Sequence, residues 1–223
     1  LFLHRGFMQR GLFITFEGSE GCGKSTQIRL LSARLQILKI PFLLTREPGG
    51  TAIGEEIRHL LQFNKIGHAM KPEAELLLFT ASRAQLAREL IQPALDSGTT
   101  IIADRFLDST TVYQGVARRI DAASVKFIND FAVGACRPDI TFVLDLDQEK
   151  ARERLHQRQR AAEGEDRMEQ QPAEFYEAVR DGYLKLAAAE PQRIRLIDAA
   201  KSADEIEQEI WTHLRGNFDA EKT

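Results

Sequence analysis

The chain has 223 residues, 43% of them apolar and 28% charged, which fits one well-filled domain or one domain with an inserted lid. A formal net charge of −3 argues against a duplex nucleic-acid binder, which is usually clearly basic, so no nucleic-acid partner is expected. Two cysteines, Cys22 and Cys136, are too few for a disulfide framework or a cysteine zinc site. No apolar run reaches the roughly 18–20 residues that span a bilayer, so the reading is a cytoplasmic protein with no membrane partner. No signal peptide is evident, and Met8 reads as the natural start, with residues 1–7 an upstream remnant and 1–10 an N-terminal extension before the domain.

Residues 12–17, "LFITFE", read as a buried strand closed by Gly18. A helix is predicted from Lys24, with Ile28, Leu31, Leu35 and Leu38 at helical spacing and Pro41 as its stop. Residues 42–45 are a second strand. Residues 51–62 form a helix opened by Pro48, Gly49 and Gly50. A long, largely buried helix over 73–91 ends near Pro93. Residues 99–104 are a strand, followed by helices near 109–118 and 122–135 and another strand at 140–146. An Arg-rich helix covers 148–160 and runs into a polar, glycine-bearing loop. Residues 173–188 are helical, 193–198 a strand and 203–215 a closing helix. Short strands without polar alternation, each followed by a helix, predict a parallel sheet covered on both faces. With the glycine-rich turn "GSEGCGKST" (18–26) between the first strand and the first helix, the expected architecture is α/β, a three-layer P-loop NTPase fold with a mostly five-stranded parallel sheet and a mobile Arg-rich lid at about 158–171. A single domain would span 11–216, with a short tail at 217–223.

"GSEGCGKST", residues 18–26, fits G-x-x-x-x-G-K-[ST] between a strand and a helix, the context this phosphate-binding loop requires. The glycines let the backbone curl so that its amides face an anion, and the following helix adds its positive N-terminal dipole. Gly18, Ser19, Glu20, Gly21, Cys22, Gly23, Lys24, Ser25 and Thr26 are thus the candidate ATP-binding residues. Lys24 would reach the β- and γ-phosphates, and the Ser25 hydroxyl would hold Mg²⁺. Glu20 is out of place beside polyphosphate. It is read either as a surface charge or as a carboxylate turned toward something positive, a lid arginine or a hydrated metal.

A GTPase would need N-K-x-D, and "NKIG" at 64–67 lacks the acid. A motor or partition ATPase more often has a hydrophobic strand ending in Asp-Glu or Asp-Asp. Here "TIIAD" ends in Asp104 followed by Arg105, an acid for Mg²⁺ next to a base for an anion. That pair suits two phosphoryl groups meeting end to end, as in a nucleoside-monophosphate kinase.

From Gly11 to Leu214 the chain resembles bacterial-type thymidylate kinases of the P-loop nucleoside-monophosphate kinase family. The resemblance rests on "EGSEGCGKST" (17–26), "TREPGGT" (45–51), "LLFTASRAQL" (77–86), "DRFLDSTTVYQG" (104–115), "RPDITFVLDL" (137–146), "GEDRMEQ" (164–170) and "LIDA" (196–199). It implies phosphorylation of dTMP to dTDP with ATP and Mg²⁺, in dTTP synthesis, by a homodimer. The alternatives are another P-loop nucleotide or deoxynucleoside kinase, and a regulatory P-loop ATPase.

Phe79 and Arg83 share a helix face, which fits either a core ring beside a surface charge or a plate and cation for a flat base. The resemblance implies the latter, with Phe79 stacking on thymine and Arg83 donating to its O4. It likewise implies that Arg46 and Arg105 hold the dTMP phosphate, Glu47 accepts from the 3′-hydroxyl, and Pro48 begins a close-approach turn. Ser109, Thr110, Tyr113 and Gln114 would lie on adjoining parts of one face, with Thr110 at the base edge, Gln114 near the ring and Tyr113 filling the place of a ribose 2′-hydroxyl. Asp104 would hold Mg²⁺ with Ser25. Arg152 and Arg154 are read as solvated helix charges. Arg160, then Arg167, are the lid residues expected to stabilise the transition state beside Lys24, Arg105 and Glu20.

Overall fold

The computed structural model describes residues 10–63, 69–159 and 171–219. Five parallel strands, β1 (Phe13–Glu17), β2 (Phe42–Arg46), β3 (Thr100–Asp104), β4 (Ile140–Asp145) and β5 (Ile194–Asp198), form one sheet in the order β2-β3-β1-β4-β5. β1 and β3 and most of β4 are buried, so both faces carry apolar residues, as a sheet covered on both sides demands. The edge strand β2 is only partly buried and ends in a charge.

On one face Ile14, Phe16, Ile102 and Phe142 pack with Leu31 and Leu35 of helix α1 (Lys24–Ile37) and Ile206, Ile210 and Leu214 of α9 (Ala203–Asp219). On the other, Phe13, Ile101 and Ala103 meet Leu86 of α3 (Pro72–Leu86), together with Ala87, Ile91 and Leu95 beyond it. Each buried Leu, Ile or Phe among them contributes about 1.5–3 kcal/mol by leaving water. A third cluster joins Val112 and Tyr113 to Phe175, Val179 and Tyr183 of α8 (Ala173–Ala189).

The remaining helices are α2 (Ala52–Arg58), α4 (Gln92–Asp96), α5 (Leu107–Thr110), α6 (Ala122–Val133) and α7 (Gln148–Gln159). The helix expected to end near Pro93 continues to Asp96. A wide turn over Ala87–Ile91, in which the Gln92 amide bonds the Ala87 carbonyl five residues back, loosens the helix where the proline ring enters. A second wide turn, Thr111–Ala117, extends α5 and carries Tyr113 and Gln114. The closing helix runs past the expected residue 215 to Asp219, and its Phe218 ring stacks on Trp211 at 5.9 Å. Among the described residues no helix is long and apolar enough to cross a membrane.

The register positions the site. Asp104 pairs with Arg46 on one side and Phe16 on the other, so the C-terminal ends of β2, β3 and β1 share one edge. Arg46 with Glu47, Asp104 with Arg105, and Glu17 with Gly18 therefore converge, although the three pairs are far apart in sequence. In parallel α/β sheets that edge is where ligands bind.

Candidate active site

The phosphate loop joins β1 to α1. Gly18 has φ +131°, and a Cβ there would stand 2.6 Å from the Leu144 carbonyl oxygen, so only glycine fits. Gly23, the N-cap of α1, has φ 101° and offers no side-chain cap, and the first helical turn contains no acid. The helix start is thus left polarised toward an anion. Lys24 is buried, and its Nζ donates to the carbonyls of Ser19 at 2.9 Å and Gly18 at 3.2 Å. The ammonium is held within the loop it serves.

A cavity of about 540 Å³ opens from this loop. One wall is Glu20 through Thr26; the other carries Arg46, Glu47, Pro48, Phe79, Asp104, Arg105, Ser109, Thr110, Tyr113 and Gln114. The structure thus brings together most of the residues singled out in the sequence. Gly18 and Ser19 shape the loop without lining the cavity. Arg160 and Arg167 lie outside the described residues.

Arg105 is the hinge of the two walls. Its backbone has φ 71°, uncommon for a residue with a side chain. Its guanidinium donates to the Glu20 carboxylate, to Ser109 Oγ at 3.2 Å and to Tyr183 Oη at 3.4 Å, and lies 5.1 Å from the centre of the Tyr113 ring. Burial works against its charge, but Tyr113, Glu20, Tyr183 and Glu17 outweigh that and hold its proton more tightly than usual. The partner of Glu20 is therefore this arginine of the acceptor side. The carboxylate that would repel ATP is neutralised by the cation expected to hold the other nucleotide.

Glu17, which the sequence reading passed over, organises both walls from behind. Fully buried at the end of β1, it accepts from the backbone amides of Phe106 at 2.8 Å and Ser109 at 3.2 Å, from Ser109 Oγ at 2.6 Å and from Tyr183 Oη at 2.7 Å. Burial raises its pKa, as does the nearby charge of Asp108, while Arg105, Ser109 and Tyr183 pull it down. An acid ending an otherwise apolar strand, "FITFE", was the available signal. Tyr183 gave none, because its role depends on a contact 166 residues distant.

Arg83 departs from expectation. It is 1% exposed and outside the cavity lining. Its Nε and Nη2 hold Glu47, with Nε···Oε2 at 2.8 Å, and Nη2 also donates to the Phe106 carbonyl at 3.1 Å. Nη1 donates to Thr110 Oγ1 at 2.9 Å and Asn129 Oδ1 at 2.8 Å. All the guanidinium donors have partners inside the protein, so a contact with a base O4 would mean exchanging one of them. Arg83 instead fixes Glu47 and Thr110, which do line the cavity. Glu47 is buried, and burial lifts its carboxyl to about 7 against the opposing pull of Arg83.

Arg46 donates to the Glu55 carboxylate at 2.9 Å and keeps half its side chain exposed at the cavity mouth. Among the described residues the buried Tyr113 hydroxyl has no hydrogen-bond partner, and burial raises its pKa. Arg154, read as a solvated charge, is exposed but also lines the cavity and donates to the Ala199 carbonyl at 3.2 Å. Gln27, Lys201, Ala203 and Ile206 line the same cavity. Arg58 and Gln62, also unforeseen, complete the acceptor side.

Ser25 and Asp104 offer a hydroxyl and a carboxylate to the same cavity, hard oxygen donors that fit Mg²⁺. Among the described residues no cluster of three or more His, Cys, Asp or Glu forms a metal cage. An ion at this place would take its other ligands from phosphate and water.

A phosphate loop facing an aromatic, arginine-bearing acceptor wall across one cavity, at the edge of a parallel sheet, defines a P-loop kinase. The family model described as thymidylate kinase matches residues 16–210, and the chain belongs to that family. A thymidylate kinase of Halothermothrix orenii is 47% identical over 207 residues, covering 93% of this chain and 98% of its own. One from Syntrophotalea carbinolica is 46% identical over 201 residues, 89% of this chain and 93% of its own. The crystal structure of thymidylate kinase from Ehrlichia chaffeensis superposes with a TM-score of 0.74 at 34% identity, covering 92% of this chain and 99% of that one.

Proposed function

We propose that this protein transfers the γ-phosphoryl group of ATP to dTMP, giving ADP and dTDP, and so supplies a precursor of dTTP. The observation that carries this reading is the pairing of Glu20 in the phosphate loop with Arg105 on the acceptor wall. On this reading the pair would hold the donor and acceptor phosphate sites next to one another, which supports in-line transfer.

Lys24 and the loop amides would hold the β- and γ-phosphates, and Arg105 with Arg46 the acceptor phosphate. Phe79 would stack on the base, and Tyr113 would exclude a ribose 2′-hydroxyl. Mg²⁺, when bound, screens phosphate charge, and Ser25 and Asp104 are the residues that would hold it. The acceptor phosphate is already mostly dianionic at neutral pH. Its oxygen forms the new bond to the γ-phosphorus while the bond to the β-phosphate oxygen breaks, and no strong general base is needed. Arg160 and Arg167 remain the proposed lid arginines.

The same reading includes a homodimer and a place in the cytoplasm. The dimer is supported by Phe127 and Phe131, one turn apart on α6 and 73% and 75% exposed, and by Leu77 on α3, 56% exposed.

The decisive experiment is ADP release from ATP·Mg²⁺ with and without dTMP. ADP should appear only with the acceptor, and Lys24→Ala should lower turnover at least about 10²-fold. ADP release indifferent to dTMP, or a near-normal Lys24→Ala enzyme, would refute the proposal.

A further inference from the structure

Behind the acceptor wall lies a polar cluster with no part in phosphoryl transfer. Glu75 of α3 is 1% exposed. Its Oε1 accepts from Gln114 Nε2 at 2.9 Å and from Arg118 Nε at 3.2 Å, and its Oε2 from Arg118 Nη2 at 3.4 Å. Arg118 is itself anchored: Nη1 donates to Gln171 Oε1 at 2.9 Å, and the guanidinium lies 4.7 Å from the centre of the Phe175 ring. Gln114 is 2% exposed, yet it lines the cavity with Phe79 and Thr110.

A side-chain amide has a donor end and an acceptor end, and its orientation follows from its partners. A carboxylate paired with arginine only accepts, so Glu75 commits the NH₂ end of Gln114. Among the described residues no donor reaches Gln114 Oε1. The Oε1 end of the amide is therefore the one left for the cavity that Gln114 lines.

We propose that Glu75, backed by Arg118, is a positioning residue that fixes the polarity of Gln114 and through it selects the acceptor base. This rests on the kinase reading above. Thymine and uracil carry N–H at N3, which Gln114 Oε1 can accept. Cytosine carries a lone pair at N3, which that oxygen repels. A site built for a donor rejects a ligand that lacks one, because its own polar group is left unpaired.

The test is kcat/KM for dTMP, dUMP, dCMP and 3-methyl-dTMP in wild type, Glu75→Gln and the double variant Glu75→Leu/Arg118→Met. Wild type should disfavour dCMP and 3-methyl-dTMP relative to dTMP by roughly ten- to a hundredfold. Glu75→Gln can keep a carbonyl toward Gln114 and should retain the preference. The double variant removes both charges together and frees the amide to rotate. Its dTMP/dCMP ratio should fall at least about tenfold, with the ATP KM unchanged.

A merely structural role would lower all acceptors alike. An unchanged ratio in a folded double variant, or no discrimination at N3 in wild type, overturns the proposal. Should the double variant not fold, ¹⁵N spectra of wild type decide. The Gln114 side-chain NH₂ signals, assigned by their loss in Gln114→Leu, stay in place on dTMP binding if they face Glu75. A large shift places them on the base and overturns the proposal. Absence of any dTMP-dependent ADP in wild type would instead defeat the kinase reading itself.

Discussion

Single residues carry most of the chemistry, and they differ in how far the sequence exposes them. The phosphate loop is legible because every part of it lies within residues 18–26. Arg83 is not, because its partner Glu47 is 36 residues away, and a cation beside an aromatic on a helix face looks the same whether it meets a ligand or a buried acid. The Arg83–Glu47 pair yields a pH prediction. Burial raises the Glu47 carboxyl from 4.5 to about 7. An acid with a raised folded value binds its proton more tightly in the folded state. Its contribution to stability is complete below the unfolded value near 4.5 and is lost as pH rises through about 7. Unfolding free energy should therefore decline across that window, by up to ~3 kcal/mol. Glu47→Gln, with no proton to lose, should show a flatter slope. Urea midpoints measured from pH 5 to 8 test this, and equal slopes in the two proteins would contradict it.

At the scale of elements, hydrophobic periodicity locates nearly every strand and helix, because each buries one stripe or both faces against the sheet. It does not foresee the wide turns at Ala87–Ile91 and Thr111–Ala117, which shift the helical register by one residue without changing composition. The second of these packs on α8, and Gly182 makes the approach possible. A Cβ at Gly182 would stand 2.9 Å from Val112 Cγ1 and 3.4 Å from Val116 Cβ. Gly182→Ala should therefore cost about 1–3 kcal/mol through overpacking. It should also raise the KM for dTMP more than that for ATP, because the next residue, Tyr183, contacts Arg105 and Ser109. A melt and an acceptor titration decide the matter; a KM change confined to ATP would show that α8 does not govern the acceptor side.

Over the whole molecule, alternation of strands and helices makes the α/β class readable, but the order β2-β3-β1-β4-β5 is fixed by contacts among segments far apart in sequence. The surface leaves Phe127 and Phe131 open on α6. Two phenyl rings in water are an unfavourable arrangement that a second copy of the chain would relieve. Sedimentation equilibrium should show a dimer, and Phe127→Asp/Phe131→Asp should yield monomers that still melt cooperatively. A wild-type monomer at micromolar concentration would reject the dimer without touching the chemistry.

Glu17 has a consequence for how the enzyme meets its substrates. One carboxylate ties the strand that launches the phosphate loop to the amides that begin the acceptor helix, which links the two parts directly. Neither nucleotide has to assemble the seat of the other. On the proposed reading, free energy of association that would otherwise go into aligning the two sites would be kept for holding the two reactants in line.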